Sequence, residues 1–314
     1  MFGWDRWILR RMKSLAPCLG IRGNIAKVGS LDLWYETFGN SKDPAVLLLM
    51  GGGCQGIFWT PDFCEKLSKL GLFVIRFDYR DTGLSSYFRT PYTLADLAQD
   101  AVSLLDKLQI SSAHLIGISM GGAIAQLLAV HHKERVKTIS LLATSSDFRP
   151  LAAALSFDYD AKFPLPSPET SWITWLQEVE SLPKLAFYKR LKKHLSGWKI
   201  LNGSKAPFPE KYYFHLLAEG IKRQRSYKVL LNHRSAVIAS ANDLHAIEGK
   251  VRVPALIVHG KADPLFPTEH AKHMEKTIEK SRLIMLDDMG HNFCPCFHST
   301  FLEEFSQFLQ KQGT

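Results

Sequence analysis

The sequence predicts an α/β fold in which helices cover both faces of a mostly parallel sheet. From about residue 44, short apolar runs alternate with helical stretches, and each run ends in a glycine or an aspartate. Continuous apolar runs of about four to eight residues are typical of strands that are buried on both faces. The length of 314 residues exceeds that of one typical domain and indicates a single core with an inserted subdomain.

The buried strands are predicted at residues 46–50, 73–77, 113–118, 136–142, 255–258 and 283–286. Helices are predicted at residues 61–70, 94–108, 120–132, 267–278 and 300–309. A leading antiparallel pair is expected at residues 24–28 and 31–38. In a parallel sheet of this kind, a functional site is expected at the carboxyl ends of the strands.

The alternation stops between about residues 147 and 245, where prolines punctuate aromatic and basic helical pieces. We interpret 147–245 as an inserted subdomain within a core formed by 23–146 and 246–314. Residues 184–234 carry 13 lysines and arginines against two glutamates, a net +11 that exceeds the +9 of the whole chain. The excess positive charge is therefore local to the insertion.

Composition excludes several classes of protein. Apolar residues make up 46% and charged residues 22%, which rules out intrinsic disorder and fibrous repeats. Five cysteines, an odd number in a long chain, argue against a disulfide framework and predict free thiols and a cytoplasmic location. The uncharged segment 108–132 is interrupted by serines and glycines too often for a membrane span, so no transmembrane segment is expected.

Residues 1–22 form a basic amphipathic extension, in which Trp4 and Trp7 belong to an apolar face with helical spacing. Arg10 and the basic residues after it break the apolar run that a secretory signal requires. One interpretation is peripheral membrane contact through residues 1–20, with the tryptophans at the headgroup level. The ordinary behaviour of chain termini favours the other, a helix that is docked on its own core or frayed.

Residues 117–121 read Gly-Ile-Ser-Met-Gly and lie between a predicted strand and the uncharged helix that follows. In this context, the pattern GxSxG is typical of a serine nucleophile on a sharp turn. Gly117 and Gly121 are needed because a Cβ there would collide with the neighbouring strand or helix. The turn sets the Ser119 hydroxyl at a helix N-terminus, which favours developing negative charge. The structural alternative is an N-cap serine beside two packing glycines.

A serine nucleophile needs a base, and the base needs a carboxylate that orients it. Asp263 lies in the loop after a predicted strand, where the acid of such a triad belongs, and Asp147 is the alternative acid or else a helix cap. His291 follows the last strand and completes the order serine, aspartate, histidine, so we predict it as the base. His259 competes for this role, but its place in a strand end favours a structural hydrogen bond.

Acyl transfer also needs backbone amides that bind the tetrahedral oxyanion. The residue after the nucleophile, Met120, supplies the first of these amides. A glycine run ends the strand at 46–50 and allows close approach of the backbone, so Gly52 is predicted as the second donor, with Gly53 as its alternative. The plain alternative is a tight turn with no role beyond connecting a strand to a helix.

The motifs MGGGCQ, FDYRDTGLS, GISMGG, HGKADPLFP and DDMGHNF, in this order, resemble the α/β hydrolase superfamily, and most closely the aclacinomycin methylesterase group of carboxylic ester hydrolases. The resemblance implies an eight-stranded, mostly parallel sheet, a helical cap after the sixth strand, and no cofactor. Ser119, Asp263 and His291 match the triad of the superfamily, and Gly52 and Met120 match its oxyanion positions. The cap at 147–245 matches no motif, so the substrate does not carry over.

We therefore expect a serine hydrolase that cleaves a carboxylic ester of a small or medium hydrophobic substrate through an acyl-enzyme. The basic segment 184–234 motivates an alternative, a thioesterase or lysophospholipase that acts on anionic acyl substrates. A third hypothesis is a binding protein that retains the triad without turnover. The chain is expected to act as a monomer or homodimer.

Neither a metal nor a nucleic acid is expected as a partner. His291, Cys294 and Cys296 form a weak set of metal ligands, because the two thiols lie only one residue apart. The aromatic residues of the basic segment fit the apolar lining of an acyl pocket better than a nucleic-acid surface. They are Phe187, Tyr188, Trp198, Tyr212, Tyr213 and Phe214.

Overall fold

A computed structural model describes residues 22–181, 187–224 and 229–313 of the chain. The predicted extension at 1–22 lies outside these residues, except for Arg22. The strands are β1 (Asn24–Val28), β2 (Leu31–Phe38), β3 (Ala45–Leu49), β4 (Phe73–Phe77), β5 (Ala113–Ile118), β6 (Val136–Leu142), β7 (Ala255–Gly260) and β8 (Ser281–Leu286). The helices are α1 (Pro61–Ser68), α2 (Leu94–Lys107), α3 (Met120–His131), α4 (Arg149–Leu155), α5 (Thr170–Ser181), α6 (Phe187–Leu201), α7 (Glu210–Arg223), α8 (Val229–Ala246), α9 (Thr268–Thr277) and α10 (His298–Lys311).

The eight strands form one sheet in the order β1-β2-β4-β3-β5-β6-β7-β8. The leading hairpin and the pairing of β2 with β4 are antiparallel, and the remaining pairs are parallel. Every residue of β3, β5 and β7 is buried, as expected for apolar runs in the middle of a covered parallel sheet. The predicted fold, an eight-stranded and mostly parallel sheet, is thereby confirmed.

Strand β8 differs from its prediction as a buried strand, because all six of its residues are only partly buried. It pairs with β7 alone and forms one edge of the sheet. An edge strand has a neighbour on one side only, so an apolar sequence there does not ensure full burial.

Helices α2, α3 and α9 pack directly against this sheet, and α2 also packs against α3. Helix α2 begins at a reciprocal capping box, in which Thr93 and Asp96 each accept a hydrogen bond from the other's backbone amide. Helix α3 packs against β3, β5 and β6, and α9 packs against β7 and β8. The buried apolar side chains of these elements form one continuous core beneath the carboxyl ends of the central strands.

Helices α4–α8 all lie between β6 and β7 in the chain. Helices α6 and α7 share a small apolar cluster of their own, built around Leu191, Tyr213 and Leu216. Helix α8 instead packs against α2, α3 and α4, which joins the insertion to the core. Among the helices that the structure describes, none combines the length and the apolar character needed to cross a membrane.

Polar contacts fasten the inserted helices to the loop that follows β4. Arg223 at the end of α7 forms an ion pair with the fully buried Asp78 at 3.0 Å, and Asn232 of α8 donates to Asp81 at 2.9 Å. Burial raises the pKa of Asp78, and the positive charge of Arg223 opposes that shift. The same loop is braced by Arg80, which binds both carboxylate oxygens of Asp100 at 2.6 Å.

Candidate active site

Ser119 lies on a strained turn between β5 and α3. Its backbone φ of 54° and ψ of −121° lie in a region that side chains other than glycine rarely adopt. A Cβ at Gly117 would lie 2.3 Å from the carbonyl oxygen of Gly121, and a Cβ at Gly121 would lie 2.1 Å from that of Leu49. Both glycines are thus required by the close approach of strand and helix, as the sequence predicts.

The backbone of Ser119 is held on both sides, whereas its hydroxyl is not engaged by the helix. Its amide donates to the carbonyl of Leu142 at 3.0 Å, and its carbonyl accepts from Thr144 Oγ1 at 2.7 Å. Although Ser119 occupies the N-cap position of α3, its side chain makes no capping hydrogen bond. Ser119 thus holds the N-cap position without the side-chain hydrogen bond of a capping serine, which leaves its hydroxyl unengaged by the helix.

Asp263 and His291 come together from the loops that follow β7 and β8. The Nδ1 atom of His291 lies 2.9 Å from Asp263 Oδ2 and 3.2 Å from Oδ1. Oδ1 also accepts hydrogen bonds from the backbone amides of Leu265, at 2.8 Å, and Phe266, at 3.0 Å. Because an ionised carboxylate can only accept a hydrogen bond, Nδ1 carries the ring proton, and the other ring nitrogen, Nε2, carries the free lone pair.

The surroundings of Asp263 favour its ionised form. Burial raises the pKa of this carboxyl group, but the charge and hydrogen bond of His291, together with smaller contributions from His259 and the Phe266 amide, outweigh burial and leave the pKa lowered. The carboxylate thus stays negative in a site that is nearly closed to solvent.

The loop that carries His291 packs closely against the end of α6. The amides of His291 and Asn292 both donate to the carbonyl of Leu201, at 2.7 and 3.2 Å. A Cβ at Gly290 would lie 2.3 Å from the backbone of Asn202. His291 lines the same cavity as Ser119, and within the described residues the two side chains form no hydrogen bond. Such contacts are often long in an empty active site and tighten when substrate binds.

The alternative acid, Asp147, and the alternative base, His259, are engaged in other contacts. Asp147 forms an ion pair with Arg149 at 2.7 Å and accepts a hydrogen bond from its backbone amide at the start of α4, whereas the N-cap position itself belongs to Phe148. His259 Nε2 lies 2.7 Å from the carbonyl oxygen of Phe266 and 3.7 Å from Asp263. Burial lowers the pKa of His259, which keeps its ring neutral beside the Asp263 carboxylate.

The glycine turn after β3 lies beside the serine turn. A Cβ at Gly51 would lie 3.4 Å from Ser119 Cβ, and a Cβ at Gly52 would lie 3.6 Å from Met120 Sδ. The backbone amides of Gly52 and Met120 donate to no partner within the part of the chain that the structure describes. The amide of Gly53, the alternative donor, is instead occupied by a side chain.

That side chain is His233, which was not among the residues predicted for the site. Its Nδ1 accepts from the Gly53 amide at 2.9 Å across 180 residues of sequence, and its Nε2 lies 3.3 Å from the carbonyl oxygen of Arg80. Burial lowers the pKa of His233 to about 4, so the ring is neutral and Nδ1 can accept. No sequence motif surrounds His233, and its polar neighbours Asn232 and Arg234 suggest a segment that is exposed to solvent.

A cavity of about 830 Å³ opens beside Ser119. Its wall is mainly apolar, and every helix of the insertion contributes to it. Of the aromatic residues predicted to line an acyl pocket, Trp198, Tyr212 and Tyr213 do so. Aromatic residues that the sequence did not single out complete the wall: Phe58, Trp59, Phe148, Trp172, Trp175 and Phe293.

The expectation of five free cysteines is wrong at two positions. Cys294 and Cys296 are joined as a disulfide, because the short helical turn at Pro295–Phe297 brings the two sulfurs together. Cys54 and Cys64 are free, and Cys18 lies outside the described residues. No group of three or more histidine, cysteine, aspartate or glutamate side chains in the described part of the chain has the arrangement of a metal site.

The sheet order, the serine turn and the aspartate–histidine pair together define the class of α/β hydrolases. The chain belongs to the alpha/beta hydrolase fold family, which matches residues 44–295. It is 31% identical over 275 residues to rhodomycin D methylesterase DnrP of Streptomyces peucetius, covering 82% of this chain and 88% of that protein. This similarity confirms the resemblance to the methylesterase group.

Solved structures agree on the fold. The enol-lactonase from Burkholderia xenovorans LB400 superposes with a TM-score of 0.71 at 21% identity, covering 91% of this chain and 100% of that one. An esterase from Exiguobacterium antarcticum superposes with a TM-score of 0.69 at 22% identity, covering 92% and 100%. At these identities the likeness concerns the fold alone.

Proposed function

We propose that this hydrolase is a serine-dependent carboxylic ester hydrolase that cleaves a small or medium hydrophobic ester through an acyl-enzyme. The observation that carries the proposal is that His291, which is hydrogen-bonded to Asp263, lies in the wall of the cavity that Ser119 also lines. Free backbone amides beside the serine and an apolar wall support it. The similarity to a methylesterase is consistent with a small-molecule ester as the substrate.

In the proposed first half-reaction, His291 Nε2 removes the proton from Ser119 Oγ while this oxygen attacks the ester carbonyl carbon. The carbonyl oxygen becomes an oxyanion, which accepts hydrogen bonds from the amides of Gly52 and Met120. The bond to the alcohol oxygen then breaks, and the proton on His291 passes to the departing alcohol. The acyl group is left on Ser119.

In the second half-reaction, water loses a proton to His291 and attacks the acyl carbon, and the amides of Gly52 and Met120 bind the second oxyanion that forms. The bond between the acyl carbon and Ser119 Oγ then breaks, His291 returns the proton to this oxygen, and the carboxylic acid leaves. Asp263 remains ionised throughout and stabilises the transient imidazolium, for which its lowered pKa suits it.

We propose further that the insertion at 147–245 acts as the cap of the core at 23–146 and 246–314. Side chains from all five helices α4–α8 line the cavity, which supports a role in substrate selection. The shape of the ester that fits is thus set by the segment that matches no motif.

Substituting Ser119→Ala tests the function. Wild type is expected to hydrolyse p-nitrophenyl esters and to be labelled covalently by a fluorophosphonate, and the variant is expected to lose both properties. Ser111→Ala changes an exposed serine outside the cavity and serves as the matched control. Full labelling of the Ser119→Ala variant would contradict the proposal.

A thioesterase or lysophospholipase activity is the second candidate, favoured by the basic residues of 184–234. Electrostatic attraction of anionic acyl substrates weakens with salt, because ions screen exposed charges. This candidate predicts a lower Michaelis constant for phosphate-bearing substrates than for neutral esters at low ionic strength, and a difference that shrinks as salt is added. Equal constants at low salt would exclude it.

A further inference from the structure

The cavity beside Ser119 contains positive charge without matching negative charge in its wall. Its described lining includes the side chains of Arg190, Lys193 and Arg234 and no aspartate or glutamate. A cation that loses contact with water is stable only when other groups replace its hydration. The partners of each of these three cations therefore indicate whether a ligand charge is needed.

Two of the cations have partners within the protein. The Lys193 ammonium forms an ion pair with the Glu178 carboxylate on α5. Arg234 donates to the carbonyl of Leu155, and its guanidinium lies 4.7 Å from the ring centroid of Phe157. The protein itself thus holds these two charges in place.

Arg190 is different. Its Nη2 donates to Gln224 Oε1 at 3.0 Å, which is a neutral acceptor, and its Nε is buried with no hydrogen-bond partner. No carboxylate of the described residues forms an ion pair with its guanidinium, and burial lowers the pKa of Arg190 without a compensating negative charge. A donor group left unsatisfied in this way is costly, and a bound anion would satisfy it.

The position of Arg190 on α6 directs it toward the substrate cavity. The lining residues Arg190, His194, Gly197, Trp198 and Leu201 follow helical spacing and occupy one face of the helix. Burial and the charge of Arg190 lower the pKa of His194 to about 4, so this neighbour is neutral and adds no second charge. The face therefore combines the guanidinium of Arg190 and the ammonium of Lys193, which is paired with Glu178, with an apolar and aromatic surface.

We propose that Arg190 binds an anionic group of the substrate, so that the ester cleaved here carries a carboxylate or phosphate at a distance from the scissile bond. The inference rests on the proposed ester hydrolase function, because it concerns the substrate of the same site. A guanidinium offers a planar pair of donors that matches either anion, and the apolar wall accommodates the carbon skeleton between them.

The test compares three p-nitrophenyl esters of one acyl length, whose far ends carry a methyl group, a carboxylate or a phosphate. Wild type is expected to favour an anionic ester over the neutral one in kcat/KM by about tenfold or more, as expected for a charged hydrogen bond. Arg190→Gln is expected to lose this preference, because kcat/KM falls more for the anionic esters than for the neutral one. Lys199→Gln removes a charge from an exposed position of the same helix and is expected to keep the preference.

The anion that gains most from Arg190 identifies the ligand as a carboxylate or a phosphate. An unchanged preference in Arg190→Gln overturns the proposal, as does a wild type that prefers the neutral ester to both anionic ones. The proposal is also overturned if Lys199→Gln loses as much of the preference as Arg190→Gln does, because the overall positive charge of the protein would then be the cause.

Failure of the proposed function has a different signature, which is no turnover of any ester and no fluorophosphonate labelling of Ser119. Binding then replaces turnover as the readout, through the melting-temperature shifts that octanoate, octyl phosphate and octanol produce. A larger shift with an anion than with octanol in wild type, absent in Arg190→Gln, supports the subsite. Equal shifts in the two proteins overturn it.

Discussion

Replacing His233 by leucine tests whether the helical insertion positions the glycine turn beside Ser119. In the wild type, His233 Nδ1 accepts from the Gly53 amide at 2.9 Å, and the ring is buried between the two turns that it contacts. Leucine has a similar apolar volume but cannot accept a hydrogen bond. The Gly53 amide then loses its partner, and the glycine turn that includes the Gly52 amide is held less firmly.

The structure bounds the size of the effect. Gly53 is only partly buried, so loss of its hydrogen bond is expected to cost about 1 kcal/mol of stability, the low end for an unsatisfied donor. Complete loss of an oxyanion donor costs about 3 kcal/mol in the transition state. The variant is therefore expected to lower kcat by between about fivefold and about 100-fold. KM is expected to change little, because the oxyanion forms only in the transition state.

Steady-state kinetics with a p-nitrophenyl ester measure both constants, and circular dichroism confirms that the variant is folded. His233→Asn is expected to recover part of kcat, since the amide oxygen of asparagine takes about the place of Nδ1. His131→Leu makes the same change at the exposed end of α3 and is expected to have no effect. A folded His233→Leu variant with the kcat of wild type, or one in which only KM rises, refutes the reasoning.

Two further changes follow from the structure. Gly121→Ala places a Cβ 2.1 Å from the carbonyl oxygen of Leu49, so the backbone must move. Urea unfolding should show a free energy of unfolding that is lower by about 1–3 kcal/mol, and fluorophosphonate should label Ser119 more slowly. A variant with the stability and labelling rate of wild type would contradict the requirement for glycine there. The free energy of unfolding should also fall as pH drops from about 6.5 to 4, because histidines that burial keeps neutral in the folded protein become protonated in the unfolded chain. Each such histidine contributes up to about 1.4 kcal/mol per pH unit to the slope of the free energy of unfolding against pH. Chemical unfolding across this pH range measures the slope, and a flat profile would contradict it. The histidines with a pKa lowered to about 4 are His114, His194, His233 and His298.

Some features of the candidate site are local in sequence and therefore predictable from it. The turn at Ser119 needs a strand, a helix and two small residues within five positions, and all of them are adjacent in the chain. The loops that carry Asp263 and His291 each follow a short apolar run directly. Because parallel strands place their carboxyl ends at one edge, these loops can be expected to meet without any knowledge of the cap.

Other features depend on how the inserted helices pack, and no local pattern encodes them. The contact of His233 with Gly53 joins positions 180 residues apart, and the direction of Arg190 depends on which face of α6 turns inward. Partial burial of β8 follows from its place at the sheet edge, which its apolar sequence does not reveal.

Local patterns in the sequence specify the strands, the strained serine turn and the candidates for acid and base, because backbone geometry and apolar periodicity act over a few residues. The packing of the described residues specifies which backbone amides beside Ser119 have no acceptor among them and which cation of the cavity wall has no carboxylate partner there. Those properties arise from contacts between segments far apart in the chain, where side-chain packing and burial, rather than local propensity, set the energy.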